Sequence, residues 1–130
     1  MSHDTLGHIK ISVCDIKKSK LFYSKLFAHL GFTKVADHPD AAGWKSPVDF
    51  GFWIEEAQIK SPAYIFGAPG LHHFCFKAQS PDAVDTLYHW LLKENIPVCD
   101  APAAYPQYTK DYYAVFFTDP DGMKLEYAFY

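Results

Sequence analysis

The stretches LGHIKISVCD, residues 6–15, and GLHHFCFKAQ, residues 70–79, decide the fold of this chain. Each places a histidine at the start of an alternation of apolar and polar residues, which is typical of a half-buried β-strand. Each is followed by a segment in which apolar residues recur at helical spacing. A shift of 65 residues brings His8 onto His73 and Tyr23 onto Tyr88. The sequence therefore predicts a unit that occurs twice.

Each copy continues with a helix and three more strands. Asp15 and Ser80 are suited to cap the helices at their starts, and Gly31 and Asn95 are suited to end them. The strand-like segments are residues 33–38, 42–46, 49–56, 98–102, 112–118 and 123–129. We expect one α+β domain over residues 1–130, made of βαβββ modules at 1–58 and 70–130 with a linker at 59–69. The mixed sheets of the two modules are expected to curl around a shared cleft.

Composition narrows the class of protein. The chain has 130 residues, of which 49% are hydrophobic and 21% charged, as expected for one globular domain. All twelve basic residues are lysine and the net charge is -3, so we expect no nucleic-acid partner. The apolar runs are too short to span a bilayer, and the first residues do not resemble a signal peptide. Three cysteines without a CxxC spacing favour a cytoplasmic location.

Strand parity selects four polar residues for one face of the sheets. In the first strand of each module the apolar residues are expected to face the helix, which leaves His8 and His73 on the other face. In the last strands the same alternation places Glu55 and Glu126 with the histidines. A β-bulge would exchange His73 for its neighbour His72, or Glu55 for the residue after it. Imidazole nitrogens and carboxylate oxygens are ligands of divalent metals, so the pattern predicts a metal site.

The segments GHIKISVCDIKKSKLFYSKLF, residues 7–27, and YYAVFFTDPDGMKLEYAF, residues 112–129, resemble the vicinal oxygen chelate superfamily. That superfamily includes glyoxalase I, extradiol dioxygenases and the bleomycin-resistance proteins. The resemblance covers nearly the whole chain and implies paired βαβββ modules, often in a homodimer. It also implies metal ligands on the first and fourth strands of each module, which by position are His8, Glu55, His73 and Glu126.

Two glutamates favour a glyoxalase-like reaction. A divalent metal (Zn, Ni, Co, Mn or Fe) would polarise a substrate oxygen while Glu126, with Glu55 as its partner, moves a proton. This interpretation predicts a lyase or isomerase for a small oxygenated substrate. Glyoxalase I usually has an arginine at the position of Ser12, and this chain has none, which argues against lactoylglutathione lyase. The alternatives are a non-catalytic, resistance-type binding protein and an iron-dependent extradiol-type dioxygenase, which needs only one glutamate.

The substrate is expected to be a small molecule that is partly apolar or aromatic. Pairing across the turn at residues 119–122 is predicted to place Val115 opposite Glu126. This pairing predicts Tyr113 and Phe117 as substrate-binding residues, strand alternation adds Trp53, and Lys10 and Lys77 are the lysines that could bind a charged group. The aromatic rings could instead pack one module against the other, and the lysines could extend to solvent.

Overall fold

A computed structural model describes residues 5–130. The first module contains β1 (His8–Val13), α1 (Ile16–Leu30), β2 (Thr33–His38), β3 (Ala41–Lys45) and β4 (Gly51–Glu56). The second contains β5 (Phe74–Lys77), α2 (Pro81–Lys93), β6 (Val98–Ala104), β7 (Tyr113–Thr118) and β8 (Lys124–Phe129). The predicted α+β fold of two βαβββ modules is confirmed. The chain divides into two compact units, of which the first ends at Ala63 and the second spans Tyr64–Tyr130.

Both helices begin at the residues that the sequence indicates. The Asp15 carboxylate accepts the backbone N–H groups of Lys17 and Lys18, and the Ser80 hydroxyl accepts that of Ala83. Gly31 ends α1 in the left-handed conformation, at φ 78°, where a residue with a Cβ is strained. No helix within residues 5–130 has the length and apolar character that crossing a membrane requires.

Each module forms one four-stranded mixed sheet with its helix on one face. The strand orders are β1-β4-β3-β2 and β5-β8-β7-β6, and the first pair in each sheet is parallel. The first module's core lies between α1 and the sheet, where Tyr23, Phe27 and Phe52 are almost fully buried. Ile9, Ile11 and Val13 are the less exposed residues of β1, as alternation predicts. His8 and Lys10 are therefore on the face of the sheet that points away from α1.

The pairing of β7 with β8 differs by one residue from the sequence prediction. Phe116 lies opposite Glu126, so the residues on either side of Phe116 face α2. Phe117 is fully buried, and the Tyr113 hydroxyl donates to a carboxylate oxygen of Asp85 in α2 at 2.6 Å. The prediction that Tyr113 and Phe117 face the same side of the sheet as Glu126 was therefore wrong.

The cause of this shift is an extra residue in the β7–β8 turn. The backbone N–H of Asp119 donates to the carbonyl of Met123 at 3.0 Å, so these two residues form the last pair and enclose a three-residue loop. Gly122 takes the left-handed conformation at φ 79°, as three-residue hairpin loops require. The Asp119 carboxylate accepts the N–H groups of Asp121 and Met123, each at 2.9 Å.

We predict that Asp119→Ala lowers the free energy of unfolding by about 2 kcal/mol. Asp119 is 5% exposed, and its carboxylate satisfies two backbone N–H groups that alanine would leave without acceptors. Urea unfolding followed by circular dichroism measures the change. Asp111→Ala, in an exposed loop of the same module, is the matched control and should change stability by less than about 0.5 kcal/mol. Equal losses in the two variants would contradict the assigned role.

Candidate functional site

The second module brings two of the four predicted metal ligands into contact. His73 directly precedes β5, and Glu126 is the third residue of β8. The Nε2 atom of His73 lies 3.0 Å from Oε1 of Glu126. The Glu126 side chain is 4% exposed, whereas that of His73 is 33% exposed. A buried carboxylate is thus held against an imidazole that solvent and small molecules can reach.

Two further side chains complete a chain of hydrogen bonds. The Tyr112 hydroxyl donates to Oε2 of Glu126 at 2.5 Å, and Nδ1 of His72 lies 2.8 Å from Nδ1 of His73. Without a metal and with Glu126 ionised, Nε2–H of His73 donates to the carboxylate, so Nδ1 of His73 accepts a hydrogen bond from Nδ1–H of His72. Burial, and then the hydrogen bond to Glu126, raise the pKa of Tyr112, which remains a donor at neutral pH. Strand alternation predicts that His72 faces the helix, yet its ring contacts His73 and orients it.

The surroundings of Glu126 are largely apolar and aromatic. Phe116 lies beside it, with ring centroids 6.2 Å from His73 and 5.8 Å from Tyr105. Burial, and then the negative charge of Glu126, raise the pKa of Cys75 to about 12. Cys75 is therefore a neutral thiol at physiological pH, which makes it a poor nucleophile and a poor metal ligand.

The predicted substrate-binding residue Lys77 lies at the edge of this aromatic cluster. Its Nζ atom is 4.4 Å from the ring centroid of Tyr130, which stacks on Tyr112 at 4.9 Å. The rings of Tyr130 and Tyr112 thus lie between Lys77 and Glu126. Its ammonium group is engaged in a cation–π contact within the module.

The first module does not bring His8 and Glu55 together. In the parallel β1–β4 pair His8 lies opposite Gly51, whereas Glu55 lies opposite Ser12, four residues further along. That separation is about 13 Å at roughly 3.3 Å per residue. Oε1 of Glu55 forms an ion pair with Nζ of Lys10 at 2.7 Å. In this module the predicted glutamate therefore neutralises a lysine.

Trp53 occupies the position in the first module that Glu126 has in the second. Phe74 lies opposite Leu125, so the residue level with His73 is the one before Leu125, and Glu126 lies two residues beyond it. In the first module Gly51 is level with His8, and Trp53 lies two residues beyond it. Sequence reasoning missed this because Trp53 and Glu55 have the same parity and only the register separates them.

The face of the first sheet that points away from α1 carries an open cavity of about 850 Å³. Trp53 forms part of its wall and lies on Gly43 and Gly51, where a Cβ would come within 2.5 Å and 3.3 Å of ring atoms. His8 and the lysines Lys10 and Lys45 also line the cavity. Two of the predicted substrate-binding residues, Trp53 and Lys10, thus line one cavity together with a predicted metal ligand.

The His73–Glu126 pair fits a divalent metal. Two donors bound at about 2.1 Å to one metal, at angles of roughly 90 to 110°, lie about 3.0 to 3.4 Å apart. The observed separation of 3.0 Å falls in that range. Glu55 does not fit as the neighbour of His8, because it lies about 13 Å further along the sheet. Across residues 5–130, no group of three or more His, Cys, Asp or Glu side chains is gathered around a point that could hold a metal.

Known proteins share this architecture. The crystal structure of a proposed glyoxalase from Bacillus halodurans matches with a TM-score of 0.85 and 23% identity, over 97% of this chain and 96% of that chain. A lactoylglutathione lyase from Agrobacterium tumefaciens matches with a TM-score of 0.70 and 22% identity, over 96% and 92% of the two chains. At these identities the similarity concerns the fold.

Sequence comparison gives the family. The chain is 28% identical over 133 residues to the uncharacterized protein YqjT of Bacillus subtilis (strain 168), covering 93% of this chain and 95% of that protein. The model of the Glyoxalase/Bleomycin resistance protein/Dioxygenase superfamily matches residues 5–127. The chain therefore belongs to the Glyoxalase/Bleomycin resistance protein/Dioxygenase superfamily, as the resemblance of its opening and closing segments implied.

Proposed function

We propose that this chain is a metal-dependent enzyme that acts on a small oxygenated substrate and uses His73 and Glu126 as metal ligands. The observation that supports the proposal best is the 3.0 Å contact between His73 and the buried Glu126. The family resemblance also implies His8, the counterpart of His73 in the repeat, as a ligand.

The single carboxylate favours one of the reactions considered from the sequence. The sequence favours a lyase or isomerase because Glu55 offers a second carboxylate, but Glu55 lies four residues, about 13 Å, beyond the level of His8. Two histidines and one carboxylate are the donor set of non-haem iron oxygenases, which leaves positions free for substrate. A divalent metal bound here would supply Lewis acidity, and iron would add redox chemistry. We therefore place oxidative cleavage of a dihydroxylated aromatic ring ahead of proton transfer.

The residues around the pair have supporting tasks in this proposal. Tyr112 remains protonated and holds one oxygen of Glu126, which leaves the other oxygen directed at His73. With Nε2 of His73 bound to a metal, the ring proton would lie on Nδ1, and Nδ1 of His72 would accept it in a hydrogen bond and so fix the tautomer of His73. Phe116 and Tyr105 exclude water from one side of the carboxylate and so strengthen its electrostatic interactions.

The first test is metal binding. Protein stripped with a chelator is titrated with Zn²⁺, Mn²⁺ and Fe²⁺ by calorimetry, and we expect one equivalent to bind. His73→Ala should weaken binding by at least about tenfold, because it removes a ligand. His89→Ala, which removes an exposed histidine from α2 of the same module, is the matched control and should bind as the wild type does. Failure of all three metals to bind, or unchanged binding by His73→Ala, would refute the proposal.

The second test separates the reactions. Iron-loaded protein is given catechol in an oxygen electrode, and we expect oxygen uptake that stops when the iron is chelated. Metal binding without oxygen uptake, across a series of dihydroxylated rings, would instead support the lyase or isomerase interpretation. Absence of metal binding would support the resistance-type binding protein.

A further inference from the structure

We infer that the cavity of the first module binds a planar aromatic acid, with the ring on Trp53 and the carboxylate on Lys45. The cavity has a volume of about 850 Å³, which is within the range of small-molecule sites. All of its lining residues belong to the first module. The inference deepens the proposed function, because it names a substrate class, yet this binding needs no metal.

Trp53 offers a flat surface to the cavity. A Cβ placed on Gly43 would lie 2.5, 2.6 and 2.7 Å from Cδ2, Cε2 and Cε3 of the Trp53 ring. Such similar distances to adjoining ring atoms mean that the indole lies face-down on the backbone of Gly43. The opposite face of the ring is therefore directed away from the sheet and into the cavity. An aromatic ring stacks on such a face with a favourable offset or edge geometry.

Charges at the cavity favour an anion. The charged side chains that line it are Lys10, Lys45 and Asp49, so lysines outnumber carboxylates. Lys45 pairs with Asp49 at 2.9 Å, but the Asp49 side chain is 82% exposed and such a pair contributes little. Lys10 pairs with the less exposed Glu55 at 2.7 Å. Lys45 is therefore the ammonium group that can most readily exchange its partner for a carboxylate of a ligand.

The position of Trp53 makes this surface specific to the first module. In the second module the corresponding strand position carries Glu126, and the opposing strand carries Phe116 where the first has Gly43. The first module thus has a tryptophan over a glycine, and the second has a glutamate beside a phenylalanine. The two modules differ at the position that would bind a ligand, so we assign ring binding to the first.

The experiment measures binding of naphthoate to metal-free protein in EDTA by calorimetry, with neutral naphthamide as the comparison. We expect naphthoate to bind with at least about fivefold higher affinity than naphthamide, because only the acid can pair with Lys45. Trp53→Leu should weaken naphthoate binding by at least about tenfold, through loss of the stacking surface. Lys45→Gln should reduce the preference for the acid over the amide to less than about twofold.

Two further variants keep the test decisive. Lys18→Gln alters an exposed lysine of α1, on the other side of the same sheet, and should leave naphthoate affinity unchanged. Gly43→Ala retains Trp53 but forces its ring to move, so it should weaken binding by about as much as Trp53→Leu does. Equal binding of acid and amide by wild-type protein, or full binding by Gly43→Ala and Trp53→Leu, would overturn the inference. Because EDTA is present, that outcome would leave the metal proposal standing, and absence of metal binding would leave this inference standing.

Discussion

Glu126→Gln is expected to lower the affinity for a divalent metal by at least about a hundredfold, whereas Glu55→Gln should leave it within about twofold. Glu126 is buried, and one of its oxygens points at the accessible His73. Glutamine keeps the size of the side chain and can still accept from Tyr112, but it loses the charge that binds a metal. Glu55 lies four residues beyond the level of His8 in the β1–β4 pair, too far along the sheet to share a metal with it.

Calorimetric titration of the two variants with the same metal, in the same buffer, measures this difference. Each variant is the control for the other, because both remove one carboxylate from a last strand and replace it with the same amide. A matching loss in both would show that four ligands act together and would restore the two-glutamate interpretation. Thermal unfolding of the metal-free variants checks that Glu126→Gln still folds.

Trp53→Glu is expected to raise metal affinity by about tenfold or more and to abolish the binding of naphthoate. The substitution places a carboxylate two residues beyond the level of His8, which is the relation that Glu126 has to His73. Gly43 lies beneath this position and leaves space for the new side chain. A fourth ligand adds favourable metal–oxygen interaction, and loss of the indole removes the stacking surface.

Trp53→Gln is the control, since it removes the indole without adding a charge. It should lose naphthoate binding and keep the metal affinity of the wild type. If Trp53→Glu and Trp53→Gln bind metal equally, His8 does not belong to the metal site and the proposed ligand set must be revised. If Trp53→Glu gains metal affinity and also gains isomerase or lyase activity, a second carboxylate is what that chemistry requires in this fold.

Local patterns in the sequence predicted much of the fold. Alternation identified the strand that carries His8, and the caps at Asp15 and Ser80 placed both helix starts. These features depend on residues that are close along the chain, so short segments contain the information. The duplication followed from the same local patterns occurring twice at a constant spacing. The pairing of His73 with Glu126 was also within reach, because alternation placed both on the face away from α2.

What only the tertiary structure decided is the register between strands. Alternation says which face a residue occupies but not how far along the partner strand it lies, so it could not separate Trp53 from Glu55. At the β7–β8 turn, hydrogen bonds to Asp119 bring Met123 into the last pair, and that one residue moves Tyr113 and Phe117 to the helix-covered face. Thus the sequence by itself determined the strands, the helices and the candidate donors. The hydrogen-bonded register determined which of those donors meet, because that choice depends on contacts between residues distant in the chain.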